Sequence, residues 1–324
     1  MTLPFALRAA VDRALDGAPL ADLSAAAKLL SDRYRGEVRD GRAHLSEDLA
    51  ARAYLAVRLP ATFAAVRAAL DAAAAAQPDF APRTQLDVGA GPGTAVWAAA
   101  EVWPGLEAAT MVEFSPAIRL WGERLADPGP VPRMDWHAGD AAGGLDAASP
   151  ADLVTAAYMI NEVAEPARDA LVDRLWALAA GMLVIVEPGT SAGWRRILAA
   201  RARLIEAGGH ILGPCPHALA CPLAPPEWCH FSTRVPRSRL HRQVKGGEVG
   251  WEDEKSIWLA VSRQAPHAPD LIGRVLAPPR TGKGHLTVKL CRTDGTAGER
   301  TISRRDGDLW RTARKLDWGD PMCG

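Results

Sequence analysis

Three cysteines, Cys215, Cys221 and Cys229, fall within fifteen residues of one another in the run GPCPHALACPLAPPEWCHF, and a fourth, Cys291, stands far downstream in a stretch with strand character. The chain has five cysteines in 324 residues; the remaining one, Cys323, sits beside the C-terminus and reads as an untethered thiol. Core filling does not explain three thiols packed so closely, two of them directly followed by proline. Soft thiolates select zinc or iron–sulfur clusters, and a stiff Cys-Pro loop turns sulfurs outward around an ion while lowering the entropy lost when the site forms. On the residues alone zinc is favoured, with His217 or His230 as possible further ligands, and an iron–sulfur cluster is the alternative. A Cys-Pro nucleophile at Cys215 is rejected, because it follows the fifth strand and such a group is expected after the fourth.

A second chemical motif lies upstream. LDVGAGPGT places Gly89, Gly91 and Gly93 directly after an apolar strand and before a helix beginning near Thr94. Glycines let the backbone turn tightly and approach a cofactor, and the helix N-terminus supplies free N–H groups. Asp87 precedes the loop, Glu113 ends the next strand where an acid can accept from both hydroxyls of a ribose, and Asp140 follows the third strand where it can accept from an adenine amino group. The G-x-G-x-G spacing, with an acid just before it, suits the amino group of a sulfonium ligand better than a diphosphate, so S-adenosylmethionine is preferred to a dinucleotide. After the fourth strand, YMINEV puts Tyr158, Asn161 and Glu162 near where a methyl group is transferred. Asn161 can hydrogen-bond an acceptor and Glu162 can take its proton, with a supporting or helix-capping role as the alternative. Asn-Pro-Pro-Tyr is absent, which leaves the acceptor atom open; methyl transfer chiefly needs in-line positioning.

These groups need elements to hold them. Residues 1–80 read as a helical cap, with Leu20, Leu23, Ala27 and Leu30 at helical spacing and Ser46-Glu47-Asp48 as a helix start. DAAAAAQPDFAPRT marks a boundary. Strands are expected at Gln85–Val88, Ala109–Glu113, Met134–His137, Leu153–Ala157 and Met182–Glu187, alternating with helices such as Ala167–Ala180, which predicts a parallel sheet covered on both faces over 81–205. Trp194–Glu206 reads as a basic helix. A cysteine-rich and basic segment follows over 206–250, and residues 251–324 hold a short apolar strand, Ser256–Val261, and a small antiparallel β unit with turns at Asp294-Gly295 and Asp306-Gly307.

The formal net charge of zero conceals a division. Residues up to Gly193 include 16 basic and 25 acidic side chains, whereas Trp194 onward holds 22 basic and 13 acidic. A basic half suggests a polyanion, most simply nucleic acid, with Arg234, Arg237, Arg239, Arg242, Lys245, Arg304 and Arg305 as candidate RNA contacts and Arg195, Arg196, Lys283, Arg311 and Arg314 beside them. No run approaches the roughly 18 uninterrupted apolar residues of a membrane span, and the first residues lack a signal-peptide core. A cytoplasmic protein with no membrane partner is expected, and clustered, odd-numbered thiols agree with a reducing compartment.

LDVGAGPGT, YMINEV, VEPGTSAG with its basic helix, CPHALACPLAPPEWCHF, GHLTVKLCRTDG and SRRDGDLWRTARKLDWGD together resemble the small-ribosomal-subunit rRNA methyltransferase-like family of the mitochondrial type and its bacterial relatives. The resemblance covers about residues 80–320. It implies a class I S-adenosylmethionine-dependent methyltransferase fold with an N-terminal helical region, a cysteine-rich metal-binding loop and a small C-terminal antiparallel β unit. It implies a [4Fe-4S] cluster on Cys215, Cys221, Cys229 and Cys291, and a methyl-donor pocket at Asp87, Gly89, Gly91, Gly93, Glu113 and Asp140. It also implies binding to small-subunit ribosomal RNA or a pre-ribosomal particle, as an RNA methyltransferase or as a non-catalytic assembly factor.

Overall fold

The computed structural model describes residues 1–35, 47–140, 144–145, 148–267 and 270–324. Four helices open the chain: α1 (Phe5–Leu15), α2 (Leu20–Arg35), α3 (Asp48–Val57) and α4 (Leu59–Ala76). Leu23, Ala27 and Leu30 of α2 face inward as their spacing predicts, while Leu20 stays exposed. Ser46 lies outside the described residues. Glu47 caps α3 without a side-chain bond, and Asp48 instead accepts from the Trp121 indole Nε1 at 2.8 Å. These helices share one continuous core with the sheet that follows. One of them, α4, is long and apolar enough on average to cross a membrane, although Arg67 and Asp71 interrupt its apolar run. It is 56% buried within the fold, packed on α5 and on the sheet, as a core helix is.

The alternation continues through β1 (Thr84–Val88), α5 (Thr94–Val102), β2 (Ala108–Glu113), α6 (Pro116–Leu125), β3 (Arg133–Ala138), β4 (Ala151–Ala157), α7 (Glu165–Leu178) and β5 (Ala179–Pro188). All five strands pair in parallel in the order β3-β2-β1-β4-β5. Helices cover both faces, so β1 and β5 are almost wholly buried; β5 reads as a near-continuous apolar run, whereas β1 carries the buried polar residues Gln85 and Asp87. Because the strands are parallel, Asp87, Glu113, Tyr158 and Glu187 all emerge at the same rim, reached through their carboxyl ends.

Beyond β5 come α8 (Ser191–Glu206), β6 (His210–Gly213), β7 (Phe231–Pro236), α9 (Arg239–Lys245) and β8 (Trp251–Ser262). β8 is antiparallel to β5 and extends well past the predicted Ser256–Val261. Its second half takes β6 on its outer edge and its first half takes β7 on an edge of its own. The cysteine loop is therefore the excursion the chain makes between β6 and β7, two short strands that both pair with β8.

A second, antiparallel sheet is formed by β9 (Leu271–Val275), β10 (Arg280–Gly282), β11 (His285–Arg292), β12 (Ala297–Ser303) and β13 (Pro321–Cys323), with α10 (Asp308–Ala313) against it. Period-two alternation gives β11 two faces. Leu286, Val288 and Leu290 enter a small separate core with Val275, Ile302, Ala313 and Met322. On the other face, Lys289 pairs with Glu227 of the cysteine loop and Cys291 points toward the same loop.

Candidate functional site

The glycine loop follows β1 with Gly89, Gly91 and Gly93 all at positive φ. At Gly89 the requirement is steric as well, since a Cβ there would stand 2.7 Å from Met159 Cβ. A Cβ at Gly91 would meet nothing within 4 Å, so that position faces open space. Behind the loop a buried polar relay crosses from β1 to β4: Gln85 Nε2 donates to Thr155 Oγ1 at 2.9 Å, and Thr155 Oγ1 donates to Asp87 Oδ1 at 2.7 Å. Asp87 is 1% exposed and its Oδ2 has no partner. Loss of hydration, with a further push from Glu113, raises its carboxyl to about 7.

Glu113 closes over the loop. Its Oε2 accepts from the Gly91 amide and its Oε1 from the Ser115 amide, each at 2.8 Å. Burial nevertheless leaves this carboxyl above its ordinary value. Asp140 is exposed at the end of the third strand's loop. Beyond β4 the chain turns through Tyr158, at φ 58 the one described non-glycine residue with a positive φ, into a short 3-10 turn, Ile160–Glu162. Left-handed backbone at an aromatic residue costs on the order of 1–2 kcal/mol and persists only where the surroundings impose it. Here the Tyr158 amide donates to the Val186 carbonyl at 2.7 Å, and its hydroxyl donates to Glu254 at 3.0 Å. Burial and the Glu254 carboxylate hold the phenol well above its ordinary range, so it remains a donor.

Asn161 is buried with an unpartnered Oδ1. Glu162 is exposed on one side; partial loss of hydration, with Glu113 and Glu187 nearby, raises its carboxyl to about 7. Glu187, at the end of β5, is fully buried and accepts from Arg196 Nε at 2.6 Å and from the Ile160 and Asn161 amides, so it anchors the catalytic-candidate turn. Four carboxyls thus surround one rim. Such a site favours a cationic ligand over an anionic one.

The structure also brings in residues that the sequence reading missed. Arg58, at the α3–α4 junction, contacts Glu254 at 3.1 and 3.3 Å, linking the helical region through Glu254 to Tyr158. Nothing local signals a pairing across 196 positions. Arg196, read as a phosphate contact, is instead buried against Glu187.

The four cysteines converge. Cys215, Cys221, Cys229 and Cys291 line one partly open pocket, together with Pro214, Trp194, Ile197, Leu198, Leu223, Ile257, Leu276 and Arg274. α8 and β8 supply one wall, and β9 and β11 the other. Burial pushes the Cys215 and Cys229 thiols upward, and burial with the neighbouring Cys215 and Cys221 pushes Cys291 up to about 12. His217 Nε2 lies 3.4 Å from Cys291 Sγ. His230 is turned into an aromatic group between Trp228 and Trp318 and does not line the cavity. Among the described residues, no three His, Cys, Asp or Glu side chains are gathered closely enough to hold a single ion.

The basic segment is largely compensated by β8. Arg234 pairs with Asp253 and lies 3.7 Å from the Trp251 ring centroid, while Arg237 and Lys245 both bond Glu252 at 2.9 Å. Arg239, Arg242, Arg304 and Arg305 are exposed, and among the described residues none of these four is paired with a carboxylate.

Residues 48–323 match the family described as Mitochondrial small ribosomal subunit Rsm22. Human "Ribosome assembly protein METTL17, mitochondrial" is 30% identical over 283 residues, which cover 82% of this chain and 61% of that protein; the chain thus spans about three-fifths of the curated relative. Solved structures with looser likeness include an O-methyltransferase family protein from Burkholderia thailandensis (13% identity, TM-score 0.48, 77% of this chain and 73% of that one). A second is magnesium protoporphyrin IX methyltransferase from Synechocystis PCC 6803 with bound SAH (14% identity, TM-score 0.41, 72% and 94%). The parallel order β3-β2-β1-β4-β5, closed by the antiparallel β8, is an α/β fold with a mostly parallel central sheet, joined here by a small antiparallel sheet.

Proposed function

The chain belongs to the Rsm22 family, and from that premise we propose that it is an S-adenosylmethionine-binding, methyltransferase-like protein acting on small-subunit ribosomal RNA during ribosome assembly. The observation that carries the donor assignment is the ring of carboxyls at the carboxyl ends of the parallel strands. Asp87 Oδ2 and Asn161 Oδ1 are buried acceptors awaiting donors, the loop glycines leave room at Gly91, and the local charge suits a sulfonium and an amino group. Asp87 would take the amino group, Glu113 the ribose hydroxyls after giving up its loop contacts, and Asp140 the adenine. The donor supplies the methyl group. Asn161 orients an acceptor and Glu162, poised near neutral pH, takes its proton.

The same reading assigns a [4Fe-4S] cluster to Cys215, Cys221, Cys229 and Cys291. Its fit rests on four cysteines that line one space; soft thiolates suit zinc or an iron–sulfur cluster, and the family resemblance favours the cluster. Such a group supplies a fixed cross-link and a one-electron couple. Arg239, Arg242, Arg304 and Arg305 are the surface cations open to phosphate, with Arg234, Arg237 and Lys245 joining only if RNA displaces β8 carboxylates. A cytoplasmic setting goes with this proposal.

A second reading, a non-catalytic assembly factor, is favoured by one feature: the Tyr158 hydroxyl and the Glu113 carboxylate are both occupied by protein partners. Anaerobic purification with iron, sulfide and zinc analysis, followed by calorimetric S-adenosylmethionine titration and methyl transfer to small-subunit RNA, tests the set. Transfer abolished in Asn161→Ala and Glu162→Gln with RNA affinity intact supports the enzyme. Donor binding with no transfer to RNA or to a pre-ribosomal particle supports the assembly factor. A colourless protein with one zinc per chain rejects the cluster.

A further inference from the structure

Two arginines, Arg274 in the wall of the cysteine pocket and Arg201 behind its loop, are as buried as the core. Arg201 of α8 and Arg274 of β9 are each 5% exposed. Arg201 Nη2 donates to the His217 carbonyl at 2.6 Å and to the Leu219 carbonyl at 2.8 Å, inside the loop between Cys215 and Cys221, and its guanidinium reaches the Cys215 thiol. Its Nε has no acceptor. Arg274 stands directly opposite Cys291 in the β9–β11 register, donating through Nε to the Pro214 carbonyl and through Nη1 to the Gly319 carbonyl, both at 3.0 Å. Neither makes an ion pair with a carboxylate among the described residues, in contrast to Arg196 a short way along α8.

Most of the remaining lining is apolar. A guanidinium held there by carbonyls, with only the Trp258 ring and the more distant Asp320 carboxylate acting on Arg274, keeps a largely uncompensated charge, which costs several kcal/mol unless an anion joins it. Four thiolates around a dication or around a [4Fe-4S]²⁺ core carry two net negative charges, matching the two guanidiniums.

We infer that Arg201 and Arg274 are counter-cations of a four-thiolate metal centre, positioning residues that tighten its hold on metal and favour its reduced form. This rests on the metal reading proposed above. Each arginine hydrogen-bonds the loop that carries the ligands while its positive charge faces the sulfurs, so that added negative charge on reduction is stabilised.

The test uses the full chain reconstituted anaerobically with iron and sulfide, comparing Arg201→Met, Arg274→Met, Arg274→Gln and Arg274→Lys with wild type. Two readouts are taken: metal retention against a chelator, and the midpoint potential from a redox titration followed by electron paramagnetic resonance. The neutral variants are expected to lose at least tenfold in metal affinity and at least tenfold in the one-electron reduction equilibrium, which is about 59 mV downward. Arg274→Lys, which keeps the charge and loses the fork, is expected to stay near wild type. Gln keeps hydrogen-bond donors and serves if Met does not fold. Unchanged affinity and potential in the neutral variants, or a Lys variant as impaired as Met, would overturn the inference and leave the arginines as loop ties. If wild type takes zinc and no iron, the cluster reading fails on its own, and chelator competition with zinc decides the arginines by the same tenfold criterion. A wild type that retains neither metal overturns both.

Discussion

Replacing Asp87 by asparagine removes a carboxyl that the fold holds at about 7, against 3.8 for the free group. A raised acid binds its proton more tightly in the folded chain than in the unfolded one, so its contribution to stability is fully present below about pH 4. It is lost progressively as pH climbs to about 7, and above that there is no further change. Between pH 5 and pH 8 the two titration curves differ by about 2.5 kcal/mol of unfolding free energy, and full burial means that little of this is screened. Asp87→Asn keeps the side-chain shape and an acceptor for Thr155 while deleting the titration. Urea unfolding at pH 5, 6, 7 and 8 should show wild type losing that increment relative to the variant, and Glu162, present in both, cancels. Parallel pH profiles would refute the reasoning, because they would mean that Asp87 is ionised or hydrated in the folded chain. A cationic ligand gives the converse: if the donor's amino group meets Asp87, binding expels the proton, and affinity rises with pH up to about 7 in wild type only.

Arg196→Met leaves Glu187 buried without its cation and should cost about 3–5 kcal/mol in urea unfolding, most of it recovered in Arg196→Met with Glu187→Leu. Gly89→Ala drives a Cβ into Met159 at positive φ, so S-adenosylmethionine affinity by calorimetry should fall at least tenfold, and by much more than in Gly91→Ala, where the space is open. Cys291→Ser should lower metal content and render residues 270–324 more susceptible to limited proteolysis; an unchanged metal content and cleavage pattern would contradict a ligand shared between the sheets. Tyr158→Phe loses the bond to Glu254 and should destabilise by about 1.5–3 kcal/mol in thermal or urea unfolding.

The readable parts of this molecule were those carried by local pattern. The strand before each rim residue, the glycine loop and its helix start at Thr94 follow from apolar runs, glycine punctuation and position, and the strands appeared within one to three residues of their expected ends. β8 was underread because WEDEK is a charged run on a half-exposed strand, and only its partner β7 reveals the pairing. Charge roles were least legible. Arg196 and Arg195 are neighbours on one helix, yet the first is a buried ion-pair partner and the second is exposed, a difference set by helix phase against β5. Arg274, a lone cation in the apolar strand LIGRV, did carry a signal in its composition. Arg58 and Glu254 carried none.

The second sheet closes around seven buried side chains, a core far smaller than that of the main sheet. A unit of this size rarely supplies more than a few kcal/mol by itself. Its opening free energy must therefore be borrowed from what ties it to the larger fold: Arg274 to Pro214, Lys289 to Glu227, and whatever Cys291 shares with the loop. The C-terminal fifth of the chain then behaves as a foldon of its own, whose amide hydrogens exchange through local opening rather than global unfolding. Its protection against exchange therefore reports on the contacts that Cys291, Arg274 and Lys289 make with the cysteine loop.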